Sequence, residues 1–361
     1  MTIEPFVKGT GRLEFSRAVE FDNMMDERRI PYSAFFELTY KCNLKCIHCY
    51  ANIPHHGKEL SFKEVISVLE QLADAGTLHI TFSGGEPFIR KDFMDILSYA
   101  RKLDFATVIL TNATLITEDI ADRISSLFPL LIKATLYGAT RKMYGRVTGN
   151  PKLYHRAMRG IRLLAEREIP MIIASYAFNF NTVKDMLAIK RICQGVGVKW
   201  RVLSQFNYKA NGDSTPLRYE LSESQFEKFS RGIPKLLYSF SSAQKQFKKK
   251  AENNVVCRGL QSGIYINPYG QIGSCHVLAS KSSIREKSLL EIWRNDPLLE
   301  KQRNIRWKDL PVCLKCKSLS YCYPCPGANF LATGSFTKIS TDYCQFAHKT
   351  RKVCLRLCSA N

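Results

Sequence analysis

The stretch Thr39-Tyr40-Lys41-Cys42-Asn43-Leu44-Lys45-Cys46-Ile47-His48-Cys49-Tyr50 sets three cysteines on one short loop. Three thiolates so placed can hold only part of an iron-sulfur cube. A four-iron cluster takes four cysteine ligands, so this spacing leaves one iron open to a molecule that reacts. The loop directly follows the apolar segment Ser33-Ala34-Phe35-Phe36-Glu37-Leu38-Thr39. In an α/β barrel the C-terminal ends of the strands carry the reactive loops. A lone C-x-x-C would serve zinc or redox chemistry, whereas C-x3-C-x2-C behind a strand is more restrictive.

Outward from the loop, short apolar runs alternate with amphipathic helical patterns as far as about residue 235, the rhythm of a parallel sheet covered by helices. Six runs read as strands: Ser33 to Thr39, Leu78 to Phe82, Ala106 to Thr111, Leu131 to Tyr137, Met171 to Phe178 and Val198 to Gln205. Most are near-continuously apolar, as strands buried on both faces are. After the first, Ser61 and Glu64 form a capping box, Phe62, Val65, Ile66, Leu69, Leu72 and Ala73 share one helix face, and Gly76 stops the helix. Ser222 with Gln225, and Ser288 with Glu291, repeat the capping signature. Cys193 falls on a helical stretch and reads as core. The predicted class is α/β, with a barrel over residues 33–235 behind an N-terminal extension, residues 1–32.

A chain of 361 residues exceeds the usual single domain, so a large domain with a smaller appendage is expected. Met1 to Arg29 is mixed polar and charged without an apolar h-region, so neither a secretory route nor a disulfide framework is expected, and the compartment is expected to be cytoplasmic. Thirteen cysteines crowded into two regions then point to metal. No apolar run reaches the length of a membrane span, and no membrane partner is expected. The formal net charge of +21 attracts acidic partners: nucleic acid, an anionic surface or an acidic peptide. No aromatic-basic repeat accompanies it, which sets nucleic acid behind the others. Between Arg231 and Arg258 lie seven basic residues and one acid, Glu252. Residues 236–256 therefore read as a basic linker or helix, its charge a solvated face.

The segment 39–50 resembles the cluster loop of the radical S-adenosylmethionine (SAM) enzymes. One βα unit later, Ser83-Gly84-Gly85-Glu86-Pro87 is similar to that family's GGEP element, where glycines let backbone approach a ligand closely. The resemblance implies a partial (β/α)6 TIM barrel of the radical SAM type. It implies that Cys42, Cys46 and Cys49 hold a 4Fe-4S cluster whose open iron takes the amino and carboxyl groups of SAM, and that electron transfer yields a 5'-deoxyadenosyl radical. SAM contacts are implied at Tyr50, as the aromatic near the adenine, and at Gly84, Gly85, Glu86 and Pro87. Further contacts are implied at Asn112, Thr135, Arg146 and Asn179. Thr111-Asn112-Ala113-Thr114 stands where relatives often have Thr-Asn-Gly. Alanine takes a positive φ less readily than glycine, so the local backbone is expected to differ or the position not to need it.

The second cysteine region runs Cys257, Gly270-x4-Cys275, Cys313-x2-Cys316-x5-Cys322-x2-Cys325 and Cys344. Seven cysteines need more than one metal site, and C-x2-C knuckles also suit zinc ribbons. The pattern resembles the SPASM extension of radical SAM enzymes, placed here at residues 257–345 ahead of a basic C-terminal tail, residues 346–361. The resemblance implies two auxiliary 4Fe-4S clusters, three in all: Cys257, Cys275 and Cys325 at auxiliary cluster I, and Cys313, Cys316, Cys322 and Cys344 at auxiliary cluster II. The last spacing is x2 where the family shows x3, and no cysteine lies between Cys257 and Cys275. Auxiliary cluster I is left without a fourth thiolate unless Cys354 or Cys358 supplies it.

The resemblance implies an oxidoreductase that abstracts hydrogen from a peptide or protein, a maturase of ribosomal peptides (RiPPs) installing a crosslink or oxidation. An acidic leader suits the basic surface. No recognition domain precedes Ser33, so leader capture is expected to fall to a separate leader-recognition protein or to that surface, with a flavodoxin- or ferredoxin-type electron donor. An enzyme of small molecules, such as a tetrapyrrole decarboxylase, is the alternative. A nucleic-acid-binding metal module is the alternative of another class.

Overall fold

The computed structural model describes residues 13–51, 57–234, 236, 252–276 and 278–358. The lysine run at Lys248 to Lys250 lies outside the described residues. The six expected strands form as β1 (Ser33–Thr39), β2 (His79–Gly84), β3 (Ala106–Thr111), β4 (Leu131–Thr135), β5 (Met171–Tyr176) and β6 (Lys199–Leu203). All pair in parallel with their sequence neighbours, and the order β6-β5-β4-β3-β2-β1 is that of successive βα units. The last three strands end short of the expected limits, although Leu136 N still bonds Ala174 O at 3.0 Å and Ala177 N bonds Leu203 O at 2.8 Å.

On β1 the residues Ala34, Phe36 and Leu38 enter the main core, while Glu37 and Thr39 occupy the opposite pleat and are also buried. The helix Phe62–Asp74 carries the Ser61/Glu64 capping box. Its buried face is Val65, Val68, Leu69 and Leu72, the i, i+3, i+4, i+7 stripe. Phe62, expected on that face, is 40% exposed at the first helical position. Cys193 is buried in the helix Val183–Gly195.

The region after residue 257 continues the sheet of the barrel strands. Strand β7 (Gly263–Ile266) adds in parallel to β1, from Ser33↔Gly263 to Phe36↔Ile266. Strands β8 (Gln271–Gly273) and β9 (Ala279–Ser283) follow antiparallel, so one nine-stranded sheet runs through both cysteine regions. The expected extension holds a helix, Leu13–Glu27, tied to this region by Asp26 to Arg258 at 3.0 Å and to Ser262 Oγ at 2.6 Å. The expected tail is helical as well. Helix Thr341–Cys358 buries Phe346, Thr350 and Val353, and Arg356 pairs with Glu223 at 2.6 Å. Among the described residues, no helix is long and apolar enough to cross a membrane.

Candidate functional site

The cysteine loop leaves β1 at Thr39 and is held from two sides. From below, Lys45 N bonds Thr148 O at 2.9 Å and Ile47 N bonds Val147 O at 3.0 Å, anchoring the loop on the end of helix Arg141–Thr148. From beside it comes the glycine pair. Gly85 N donates to Thr39 O at 2.7 Å and Glu86 N to Lys41 O at 2.9 Å. A Cβ on Gly84 would stand 2.2 Å from Thr39 O, and one on Gly85 2.2 Å from Lys41 O. Only glycine lets the two backbones meet this closely.

Glu86 is fully buried. Its carboxylate accepts from Thr111 Oγ1 at 2.8 Å, Asn112 N at 2.7 Å and Phe88 N at 3.3 Å, and burial pushes its pKa up to about 7 against the pull of those donors. It thereby fixes the end of β3 to the glycine turn. There Ala113 has φ +59 and is buried. The expectation that alanine would force a different backbone is overturned: the turn keeps the left-handed conformation, pressed between Thr111 Oγ1, which accepts from Ala113 N at 3.0 Å, and helix Tyr154–Glu166, where a Cβ on Gly160 would lie 2.0 Å from Ala113 O.

The three loop thiols feel one another. Burial raises the Cys46 thiol well above the usual range, with Cys49 and then Cys42 adding to the rise. Leu44 N lies 3.5 Å from Cys42 Sγ. The same N–H to sulfur contact recurs in the second region, where Ser318 N is 3.4 Å from Cys316 Sγ and Ala328 N is 3.4 Å from Cys325 Sγ. Such donors are what anionic cluster thiolates require. Electrostatics link some members of the second set. After burial and a lowering from Ala328, Cys325 is raised by Cys257, and Tyr343 is raised by burial with both Cys325 and Cys275 contributing. Cys344 is raised by burial and then by Cys316. Cys257 and Cys275 pack on Leu260, Leu278, Ile305 and Phe336, while Cys313 packs with Trp307 and Leu310. Among the described residues no three His, Cys, Asp or Glu side chains close to single-ion spacing. A cube makes no such demand, because each thiolate binds a different iron.

A model of the radical SAM superfamily matches residues 36–192, and a model of the iron-sulfur cluster-binding SPASM domain matches residues 257–317. The chain carries a radical SAM domain followed by a SPASM domain. PqqA peptide cyclase of Granulibacter bethesdensis is 24% identical over 302 residues, 79% of each chain. The AdoMet-dependent heme synthase of Methanosarcina barkeri is 24% identical over 346 residues, 87% of this chain and 96% of that one. The crystal structure of Streptococcus suis SuiB bound to precursor peptide SuiA aligns with a TM-score of 0.70 at 17% identity, over 95% of this chain and 84% of that chain, and shares the fold. The partial barrel with its SPASM domain is thus the fold expected from sequence. Radical SAM/SPASM proteins are iron-sulfur enzymes: the radical SAM domain binds SAM and a 4Fe-4S cluster, and the SPASM domain binds auxiliary iron-sulfur clusters.

Within the radical SAM domain, the remaining residues singled out from sequence lie as follows. Tyr50 turns its hydroxyl to the buried Glu37 and its ring to His276, 4.9 Å between centroids, beside Cys275. Tyr265 of β7 also donates to Glu37, and Tyr40 meets Tyr265 at 3.1 Å. Thr135 bonds Tyr137. Arg146 stacks on Phe180 at 3.8 Å, and Asn179 Nδ2 donates to Arg218 O at 2.9 Å. Sequence reasoning passed over His48, although it sits between Cys46 and Cys49. Its ring is ringed by Tyr176, Tyr137, Phe178 and Phe206 at 4.8, 4.9, 5.1 and 5.7 Å, and its buried Nδ1 has no hydrogen-bond partner among the described residues. Burial lowers its pKa to about 3, so the imidazole is neutral.

Proposed function

We propose that this chain is a radical SAM/SPASM maturase that abstracts hydrogen from a ribosomally made peptide or a protein side chain and leads it to a crosslink or an oxidation. The observation that carries the reading is the docking of Gly84 and Gly85 on the Thr39 to Lys41 backbone, which brings the two motifs of the SAM site into one place. The peptide-cyclising relative and the net charge of +21, suited to an acidic leader, favour a peptide substrate.

In this reading Cys42, Cys46 and Cys49 hold the SAM cluster. Bound SAM and the reduced cluster supply a 5'-deoxyadenosyl radical. The glycine turn spends the N–H groups of Gly85 and Glu86 on the cysteine loop, so a contact from it to the ammonium of SAM would be made by carbonyl oxygen, the acceptor an ammonium needs. His48 and its four aromatic neighbours pack as one ring cluster at the cysteine loop. Cys257, Cys275 and Cys325 hold one auxiliary 4Fe-4S cluster, and Cys313, Cys316, Cys322 and Cys344 the other. Electrons come from a flavodoxin- or ferredoxin-type protein, leader capture falls to a separate protein or to the basic surface, and the enzyme works in the cytoplasm.

Anaerobic reconstitution tests the reading. About twelve irons per chain are expected, with 5'-deoxyadenosine formed from SAM under reductant and faster in the presence of the cognate peptide. Two zincs with iron only at the first loop would overturn the SPASM assignment. The heme synthase likeness over 96% of that relative supports a second reading, in which the substrate is an acidic tetrapyrrole. Turnover of a propionate-bearing tetrapyrrole, with none on peptides, would decide for it.

A further inference from the structure

Asn112 closes the end of β3 against the cysteine loop, and every polar atom of its amide is engaged there. Oδ1 accepts from Thr114 N at 3.0 Å and Thr114 Oγ1 at 2.5 Å. Nδ2 donates to Asn43 Oδ1 at 2.9 Å and lies 3.9 Å from Cys42 Sγ. Asn43 returns the link by donating to Thr114 Oγ1 at 2.8 Å. The backbone N–H of Asn112 is held by Glu86, which ties the main chain at this position to the glycine turn. Asn112 is 8% exposed, which leaves the amide little access to a ligand from outside.

We propose that Asn112 is a positioning residue for the SAM cluster, holding Cys42 through an N–H to sulfur contact and the neighbouring Asn43 through the amide pair, and raising the cluster's reduction potential. This rests on the proposal above that Cys42 is a cluster ligand. One-electron reduction adds negative charge that is shared with the thiolate sulfurs, and an N–H donor aimed at one of them stabilises the reduced form more than the oxidised form. Leu44 N also donates to the same sulfur, at 3.5 Å. Asn112 thus differs from the glycine turn in kind: it acts on the electron-accepting state, and through Asn43 on where the loop sits.

The test uses full-length reconstituted protein in anaerobic redox titration with a chemical reductant, followed by electron paramagnetic resonance. Asn112→Leu removes both donated bonds without adding a charge, and a downward shift of the SAM-cluster midpoint is expected while the auxiliary midpoints stay put. Asn43→Ala removes the amide pair and leaves the contact to Cys42, so its midpoint is expected near wild type. Equal shifts in the two variants, or none in Asn112→Leu, would overturn the proposal. Pulsed resonance on wild-type protein carrying side-chain 15N-asparagine gives a measurement independent of variant loading: coupling of 15N to the reduced SAM cluster is expected, and its absence counts against the contact. Cys42→Ala separates the two layers. If that variant retains the SAM-cluster signal, the ligand assignment itself fails, whatever Asn112 does.

Discussion

A methyl group at Gly85 would meet Lys41 O at 2.2 Å and Tyr40 O at 2.8 Å. Both are backbone atoms of the segment entering the cysteine loop, so neither can swing aside. Gly85→Ala is therefore expected to displace the loop and lose the SAM cluster, about four of roughly twelve irons, while the SPASM clusters stay loaded. Iron analysis with resonance spectra checks it, and a full iron complement would refute the docking argument. Ala113 poses the opposite problem. A non-glycine residue in the left-handed region costs about 1–2 kcal/mol, yet glycine there would give up a buried methyl, about 0.8 kcal/mol, and add chain entropy worth about 0.5–1 kcal/mol. These cancel, so Ala113→Gly is expected to change stability by less than about 1 kcal/mol, read from thermal unfolding of the apo-protein; a larger gain would mean that real strain is stored in the turn. Sequence shows that alanine is a poor left-handed residue. It does not show that Thr111, Glu86 and the helix at Gly160 together hold the turn regardless.

The capping box at the helix Phe62–Asp74 was legible because its partners are three residues apart, and the structure extends it with one that is not. Glu64 accepts from Ser61 N at 2.7 Å and also from Arg285 Nε at 2.6 Å, and Arg285 donates on to Lys58 O at 3.0 Å. One carboxylate thus caps the helix and ties it to the turn after β9. Arg285 first, then the Ser61 backbone, lower the Glu64 pKa from 4.5 to about 2. A depressed carboxylate pKa stabilises above the unfolded-state value and loses that contribution as pH falls through the folded one. Glu64→Gln keeps the capping box, as Gln225 does at the equivalent position, and is expected to cost up to about 1 kcal/mol at neutral pH from the largely solvated ion pair with Arg285. The gap in melting temperature between wild type and variant, measured on apo-protein, should narrow between pH 4.5 and pH 2. A gap independent of pH would show that the charge of Glu64 contributes nothing to it.

At the scale of the whole molecule, the cysteine spacings were readable from the chain while the bridge between the two cysteine regions was not. Spacing is local; the pairing of β1 with β7 joins segments more than two hundred residues apart, and a four-residue strand such as Gly263–Ile266 carries no pattern of its own. That bridge changes what a truncation should do. Removing everything after residue 256 would uncover the backbone edge of Ser33 to Phe36 and strip Tyr265 from the buried Glu37 carboxylate, leaving it Tyr50 and Tyr40. An uncovered parallel edge invites aggregation, and a buried carboxylate deprived of a donor costs about 1–3 kcal/mol or more. The truncated chain is therefore expected to be insoluble or to lack a cooperative thermal transition. The matching control is the full chain with Tyr265→Phe, which keeps β7 in place and removes only the hydroxyl; it is expected to stay soluble and to melt a few degrees lower. A truncated chain that remains monomeric, melts cooperatively and still takes up about four irons would show that the barrel needs no strand beyond β1, and that the SPASM region is docked on it without being part of its sheet in any energetic sense.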